Sequence, residues 1–273
     1  MSTSFTNIGS VQIEIETVGS GPTLLFLHGE DGLMFSRPFI EQLAAEHEVL
    51  VPHHPSWGRS TRGAHVNRVQ DIALVYAELI ESSGVPVDIV GVSFGGWLAA
   101  EIAVLRPRNL GSIVLAAPTG VRFGDPQERN FVDLYVQDFD DLPAILYSTA
   151  ERAPVLASCT DDQFLYLAEA QEAMTRYCWN PYMHNPDLVA LLRRIEVPCC
   201  LISGADDHFV LRKDYFSRFA ALIGPAGCAH VVIDDVGHRL EEEDPAALAK
   251  CTETFLAEQA FVIGTNPQEH RHV

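Results

Sequence analysis

Short runs of apolar residues alternate with longer amphipathic stretches along most of the chain. VQIEIETVG at 11–19 alternates apolar and polar positions as a half-buried strand does, whereas TLLFLHG at 23–29 is typical of a continuous buried strand. EVLVPHH, VDIVGVS and GSIVLAAP predict further strands, and helices are predicted near 38–46, over 71–82 and over 94–105. This repeated strand and helix order predicts a mostly parallel sheet covered by helices, the α/β class.

The alternation stops after Pro118. Residues 119–196 show only helical patterns, such as DQFLYLAEAQEAMTRY, and the alternation resumes with VPCCLISG, a helix near 214–222, AHVVIDDVG and a helical stretch over 245–260. We therefore predict a core of residues 1–118 and 197–273, with a helical cap, residues 119–196, inserted after the sixth strand of an eight-stranded sheet. The last residues, NPQEHRHV, have no periodicity and are predicted to fray.

Composition and charge narrow the function classes. The chain has 273 residues, 47% of them hydrophobic, and its 18 basic against 37 acidic residues give a net charge of −19. Such a surface repels phosphate backbones and anionic lipid headgroups, so we expect no nucleic-acid or membrane partner. The first twenty residues do not resemble a secretory signal, and the six cysteines show no CxxC spacing, which is typical of a cytoplasmic protein with reduced thiols.

A glycine-flanked serine follows the strand VDIV directly. In Gly91-Val92-Ser93-Phe94-Gly95, the serine lies on a tight turn between a strand and a helix, which exposes its hydroxyl, and the glycines avoid collisions at the turn. This arrangement predicts that Ser93 is a catalytic nucleophile.

A serine nucleophile needs a base, and the base needs a carboxylate to orient it. His238 follows the strand HVVIDDV through Gly237, at the same end of the sheet as Ser93, and is the best-placed base. The turn after CCLISG holds two acids, of which we favour Asp207 as the orienting carboxylate, with Asp206 forming the turn.

The oxyanion of acyl transfer needs hydrogen-bond donors, which backbone amides supply. We predict the N–H groups of Phe94, at the helix start, and of Glu30, in the loop after TLLFL. A carboxylate beside an oxyanion would oppose catalysis, so we expect the Glu30 side chain to be an exposed loop acid.

These motifs together resemble the α/β-hydrolase family. LLFLHG, PSWGRS at 55–60, GVSFGG at 91–96, SGADDHFV at 203–210 and DVGHRLEEEDP at 234–245 stand in the family's order, although Ser56 replaces a usual glycine. The resemblance implies the α/β-hydrolase fold, the roles assigned above to Ser93, Asp207, His238, Phe94 and Glu30, and a cap over the active site.

The cap resembles the compact-cap group of meta-cleavage-product hydrolases, lactonases and esterases. Carbon–carbon hydrolases of that group carry Asn before the nucleophile and Trp after the histidine, where Val92 and Arg239 stand here, so a cofactor-independent ester or lactone hydrolase is favoured. A carbon–carbon hydrolase, an acyl transferase or cyclase, and a non-catalytic binding protein stay as alternatives.

Aromatic residues concentrate in the cap and indicate a small, largely apolar substrate.

No cofactor or metal is predicted, because neighbouring histidines lack ligand partners at metal spacing. A homodimer is left open. The predicted substrate-binding side chains are His28, Trp97, Phe123, Tyr135, Phe139, Trp179, Tyr182 and Arg239.

Overall fold

The structure, a computed structural model, describes residues 1–125 and 127–265, with side chains described to residue 259. The tail predicted to fray, residues 266–273, lies outside the described residues. The strands are β1 (Ser2–Ile8), β2 (Val11–Gly19), β3 (Thr23–Leu27), β4 (Glu48–Pro52), β5 (Val87–Val92), β6 (Leu110–Ala116), β7 (Cys199–Gly204) and β8 (Cys228–Ile233). The helices are α1 (Arg37–Leu43), α2 (Val69–Ser82), α3 (Phe94–Leu105), α4 (Leu142–Leu146), α5 (Asp161–Cys178), α6 (Leu188–Leu191), α7 (Tyr215–Leu222), α8 (Leu240–Glu243) and α9 (Pro245–Thr265).

The eight strands form one sheet in the order β1-β2-β4-β3-β5-β6-β7-β8. Strand β2 pairs antiparallel with β1 and β4, and the remaining pairs are parallel. The predicted mostly parallel sheet and the α/β-hydrolase fold are confirmed. Strand β1 was not predicted, because its sequence STSFTNI is mostly exposed and lacks the apolar alternation of a core strand.

The hydrophobic core lies on both faces of the parallel strands. Strand β7 is buried along its whole length, and in α3 the eleven residues from Phe94 to Val104 are buried. A helix buried on nearly every side is held by packing rather than by an amphipathic pattern, which fixes the position of its first turn next to Ser93.

Between β6 and β7 the described residues form α4, α5, α6 and short 3-10 turns, with no strand among them. Helix α5 begins with a capping box, in which the Thr160 hydroxyl accepts from the Gln163 backbone N–H and the Gln163 side chain accepts from the Thr160 N–H. Its buried residues, Ala170, Ala173, Met174, Tyr177 and Cys178, lie near its C-terminal end. This is the segment predicted to form the cap, and its residues contribute much of the cavity described below.

Candidate active site

Ser93 lies on the turn between β5 and α3, with backbone angles φ 47° and ψ −109°. This turn packs so closely against neighbouring backbone that two of its positions must be glycine. A Cβ at Gly91 would lie 2.2 Å from the Gly95 carbonyl oxygen, and one at Gly95 would lie 2.0 Å from the Leu27 carbonyl oxygen. Both contacts are far below van der Waals distance, so only glycine fits on either side of the serine.

Three predicted side chains come together at the carboxyl ends of parallel strands. His238 Nε2 lies 2.7 Å from Ser93 Oγ, and His238 Nδ1 lies 2.7 Å from Asp207 Oδ2. The other Asp207 oxygen accepts backbone N–H groups of Phe209 and Val210, each at 3.0 Å. Of the two acids in the turn, it is therefore Asp207 whose carboxylate contacts the histidine, and its remaining bonds fix its orientation.

The Glu30 side chain does not face solvent, and that expectation is wrong. Glu30 is 3% exposed, and its Oε1 accepts a hydrogen bond from Ser93 Oγ at 2.5 Å. Its backbone carbonyl accepts the indole N–H of Trp57 at 3.2 Å, which holds the loop after β3 in place. The Glu30 carboxylate therefore lies beside the nucleophile.

Arg239 explains how this carboxylate is buried. Its Nη1 lies 2.8 Å from Glu30 Oε2 and its Nη2 lies 2.7 Å from Asp31 Oδ2, and the arginine itself is buried. Burial of Glu30 acts to raise the pKa of its carboxyl, but the Arg239 charge, the His238 charge and the Ser93 hydrogen bond together hold that pKa below its ordinary value. We conclude that Glu30 stays anionic beside Ser93.

Two further acids after His238 complete this charged cluster. Glu241 and Glu242 are enclosed near Arg239, and burial raises the pKa of Glu241 to about 8 and that of Glu242 to about 7. Tyr147 donates its hydroxyl proton to Glu242 at 2.5 Å. Near neutral pH, Arg239 therefore compensates chiefly the charges of Glu30 and Asp31, its two direct partners.

Helix α5 of the cap contacts the loop after β3 at two points. The Tyr166 hydroxyl accepts the backbone N–H of Leu33 at 3.0 Å, and Gln171 Nε2 donates to Asp31 Oδ1 at 2.8 Å. The cap thus helps to hold the same loop that carries Glu30.

A cavity of about 400 Å³ lies between the cap and the core. Its polar wall includes Glu30, Asp31, Gln171 and Arg239, and most of the remaining wall is apolar. Ser93, which is 1% exposed, is not part of that wall, but its hydrogen-bond partner Glu30 is. The lining includes Phe35, Leu134, Tyr135, Phe139, Leu142, Leu146, Tyr147, Leu156, Phe164, Leu167, Met174, Tyr182 and Met183.

Of the eight predicted substrate-binding side chains, Tyr135, Phe139, Tyr182 and Arg239 line this cavity. Two of the other four are buried structural aromatics: Trp97 donates its indole N–H to Glu101 at 2.9 Å, and Phe123 packs edge-on against Tyr215.

Trp179 and His28 also lie away from the cavity. Trp179 is 58% exposed and packs against Tyr135 from outside. His28 is fully buried, accepts the backbone N–H of His54 at 3.2 Å, and supports the loop after β3; burial lowers the pKa of both imidazoles. The composition of the cap indicates aromatic character, but only packing decides which rings face the cavity.

Within the described part of the chain, no cluster of three or more His, Cys, Asp or Glu side chains is arranged to hold a metal ion. None of the described helices is long and apolar enough to cross a membrane.

The chain belongs to the alpha/beta hydrolase family, whose family model matches residues 24–250. It is therefore a member of an enzyme family of hydrolases, and its sheet order, its serine turn and its helical segment after β6 are consistent with that membership.

Relatives in the family differ in what they act on. The chain is 29% identical to the polyketide synthase ThaQ of Burkholderia thailandensis over 92% of its own length and 13% of that protein. It is 26% identical to the pimeloyl-[acyl-carrier protein] methyl ester esterase of Nitrosomonas europaea, over 71% of the chain and 81% of the esterase. It is 23% identical to the 2-hydroxy-6-oxo-2,4-heptadienoate hydrolase of Pseudomonas putida, over 91% of the chain and 94% of that hydrolase. The chain spans less than half the length of three of the curated relatives it matches.

Solved structures show the same fold at low sequence identity. A bacterial membrane phospholipase A superposes with a TM-score of 0.78 at 22% identity, covering 95% of this chain and 86% of that one. Naproxen esterase from Bacillus subtilis superposes with a TM-score of 0.72 at 16% identity, covering 93% of this chain and 91% of the esterase.

Proposed function

We propose that this protein is a cofactor-independent serine hydrolase that cleaves a carboxylic ester or lactone of a small, largely apolar compound. The observation that carries the proposal is the continuous chain of contacts from Asp207 through His238 to Ser93, with 2.7 Å at each step. A hydroxyl, an imidazole and a carboxylate in this order are the groups that acyl transfer through a serine requires.

In this proposal, Ser93 Oγ attacks the carbonyl carbon and forms an acyl-enzyme. The backbone N–H groups of Phe94 and Glu30 bind the oxyanion, since Phe94 is the first residue of α3 and the N–H groups of a first helical turn have no partner within the helix. His238 moves protons at the leaving group and at the water that releases the acyl group. Asp207 fixes the imidazole orientation and stabilises its charged form.

The cavity supports a substrate of limited size. A volume of about 400 Å³ lies in the range of small-molecule sites, and the apolar wall favours a hydrocarbon or aromatic portion. Its polar end, at Glu30 and Arg239, is next to Ser93 and favours binding with the carbonyl group at that end.

The comparisons support ester hydrolysis without fixing the substrate. Relatives and structural neighbours include esterases as well as carbon–carbon hydrolases. Val92 and Arg239 occupy the positions at which this sequence departs from the carbon–carbon hydrolase pattern, and this favours the ester reaction.

The test combines a covalent probe with a substrate panel. A fluorophosphonate is expected to label Ser93 in the native protein, with labelling abolished in Ser93→Ala and strongly reduced in His238→Ala. Rates on p-nitrophenyl esters, alkyl esters, lactones and a dienone ring-fission product would identify the bond cleaved. An unlabelled native protein would favour a binding protein, and turnover of the dienone alone would favour a carbon–carbon hydrolase. Product analysis in isotopic water would separate hydrolysis from acyl transfer.

A further inference from the structure

Ser93 Oγ faces two hydrogen-bond acceptors and has one proton to give. It lies 2.5 Å from Glu30 Oε1 and 2.7 Å from His238 Nε2. His238 Nδ1 faces the Asp207 carboxylate at 2.7 Å, so Nδ1 carries the ring proton and Nε2 is the acceptor. The serine proton therefore satisfies the Glu30 carboxylate only while the serine is not reacting.

Acylation removes this donor from Glu30. As Oγ bonds to the carbonyl carbon, its proton passes to His238 Nε2, and the acylated oxygen has no proton left. The other carboxylate oxygen, Oε2, stays bonded to Arg239 at 2.8 Å. In the part of the chain that the structure describes, Ser93 is the side chain that donates to Oε1. The backbone N–H of Glu30 also contacts its own carboxylate, but in the proposed mechanism this N–H binds the oxyanion.

A buried carboxylate oxygen that loses its donor is destabilised. The Glu30 side chain is 4% exposed, and its carboxylate stays anionic beside Arg239. A hydrogen bond to a buried charged group is worth more than one between neutral groups, and its loss costs more. Because Glu30 lines the cavity, a replacement donor has to come from what the cavity holds. A substrate that brings a donor to this position therefore stabilises the transition state of acylation.

We propose that Glu30 determines substrate specificity by accepting a hydrogen bond from a hydroxyl group on the acyl chain of the ester. This inference rests on the proposed function, because it names the class of ester that the same serine would cleave. A donor bonded to Oε1 lies within about 5 Å of Ser93 Oγ, which adjoins the reacting carbonyl carbon. The acyl carbons nearest to the carbonyl fall within this distance, so the hydroxyl lies on the second or third carbon of the acyl chain.

The charges at this end of the cavity favour an uncharged donor. Arg239 already pairs with Glu30 at 2.8 Å and with Asp31 at 2.7 Å. An ammonium group would have to leave water for a mostly apolar wall, where the carboxylates that would compensate its charge are already paired. A carboxylate substituent would be repelled by both acids. A hydroxyl donates to Glu30 without adding a charge.

Glu30 is held firmly enough to discriminate between substrates. Its backbone carbonyl accepts the indole N–H of Trp57 at 3.2 Å, and Arg239 holds its carboxylate. Arg239 is fixed in turn by Asp31, which also accepts from Gln171 of the cap at 2.8 Å. An acceptor fixed in this way is left without a partner when the substrate lacks a donor, and such a site rejects the analogue without the hydroxyl.

The first test compares methyl esters that differ at the proposed contact. Methyl 2-hydroxybutyrate and methyl 3-hydroxybutyrate, each as separate enantiomers, are compared with their O-methyl ethers and with methyl butyrate. The ether group withdraws electrons much as the hydroxyl does but has no proton to donate. We expect one hydroxy ester to exceed both its ether and methyl butyrate in kcat/KM by about 10- to 100-fold, the effect of one hydrogen bond to a charged group. If no hydroxy ester exceeds methyl butyrate, the inference is overturned.

The second test removes the acceptor. In Glu30→Met, whose side chain has a similar length but no carboxylate, the preference for the hydroxy ester is expected to disappear. Glu30→Gln keeps a neutral acceptor and is expected to show an intermediate preference. The matched control is Glu101→Gln, another buried carboxylate, which accepts from Trp97 and Asn185 and should keep the native preference.

The readout of this second test is the ratio of kcat/KM for the hydroxy ester to that for its ether, measured in each variant. A general loss of activity lowers both rates and leaves the ratio unchanged, so a merely structural role of Glu30 would not move it. A native ratio that persists in folded Glu30→Met would overturn the inference. If Glu30→Met does not fold, as judged by circular dichroism and thermal unfolding, a native ratio in Glu30→Gln would overturn it instead.

Failure of this inference is distinguishable from failure of the proposed function. Labelling of Ser93 by the fluorophosphonate and turnover of p-nitrophenyl butyrate, without any preference for a hydroxy ester, would overturn this inference alone. An unlabelled Ser93 with no turnover of any ester would overturn both proposals.

Discussion

The guanidinium of Arg239 pairs with the carboxylate of Glu30 at 2.8 Å, across 209 positions of sequence. Both side chains are at most 4% exposed, so each compensates a charge that the other could not keep in an apolar interior. The pair brings together the loop after β3 and the residue that follows His238, and it therefore positions Glu30 next to Ser93.

Replacing Arg239 with Met is expected to destabilise the fold by about 3–5 kcal/mol, because it leaves a buried carboxylate without its partner. Arg239→Lys is expected to lose less stability than Arg239→Met but to stay below the native protein. A single ammonium keeps the charge but does not match the two carboxylates that the guanidinium bridges. Urea unfolding at pH 7 measures both. Arg176→Met, which breaks an exposed pair with Glu172, is the control and should change stability by less than about 1 kcal/mol. Equal effects of the two Met variants would contradict the assigned role of the buried pair.

Asp207→Asn is expected to lower kcat by about 10³- to 10⁴-fold with little change in structure, because an amide does not stabilise the imidazolium and favours the wrong ring tautomer. The neighbouring Asp206→Asn should keep kcat within about threefold of the native value, since the carboxylate that contacts His238 is that of Asp207 and Asp206 is only half-buried. The measurement is kcat of the native protein and of both variants, from steady-state rates on the ester of the panel that the native protein hydrolyses fastest. Comparable losses in both variants would show that the choice between the two acids is wrong.

Met174→Trp is expected to shift preference toward shorter acyl groups. Met174 lies on α5, is buried, and lines the cavity, so a larger ring removes volume where the apolar portion binds. Each excluded methylene should reduce kcat/KM by about tenfold or more, which p-nitrophenyl esters from acetate to octanoate would measure. Trp179→Phe, at an exposed position outside the cavity wall, should leave the chain-length profile unchanged. An unchanged profile in Met174→Trp would place the acyl group elsewhere.

Glu16→Gln is expected to reduce stability at pH 7 by about 2 kcal/mol, as loss of a charged hydrogen bond does. Glu16 accepts from His53 and from both terminal nitrogens of Arg37, and the His53 bond, followed by Arg37, lowers the pKa of Glu16 from 4.5 to about 2. A lowered carboxyl pKa stabilises the fold above the unfolded value and loses that effect as the pH falls toward the folded one.

The difference between native and Glu16→Gln proteins should therefore shrink between pH 5 and 2, as measured by urea unfolding. The control Glu46→Gln, at an exposed position, should change stability by less than about 0.5 kcal/mol at any of these pH values. A native-to-variant difference that stays constant down to pH 2 would be inconsistent with the low pKa of Glu16.

Elements whose sequence pattern matches their surroundings were predictable, and those decided by distant partners were not. The central parallel strands β3, β5, β6 and β7 are mostly buried and appear as apolar runs, and α3 was predicted at its observed bounds, Phe94–Leu105. The serine turn and Asp207 were found because each closely follows a buried apolar strand, β5 or β7. His238 was found because it follows the run HVVIDDV, although β8 itself is half-exposed. The burial of Glu30 depends on its ion pair with Arg239. Because Arg239 lies 209 positions away in sequence, the residues around Glu30 do not indicate that this partner is present.

The contacts of α5 with the loop after β3 have a consequence for protein engineering. Tyr166 and Gln171 belong to the cap, yet they hold Leu33 and Asp31 of the core. A chimera that exchanged this segment for that of a relative would alter substrate selection and also release the backbone next to the nucleophile. Transplanted segments would therefore need to retain a tyrosine and an amide at these two positions to yield an active hybrid.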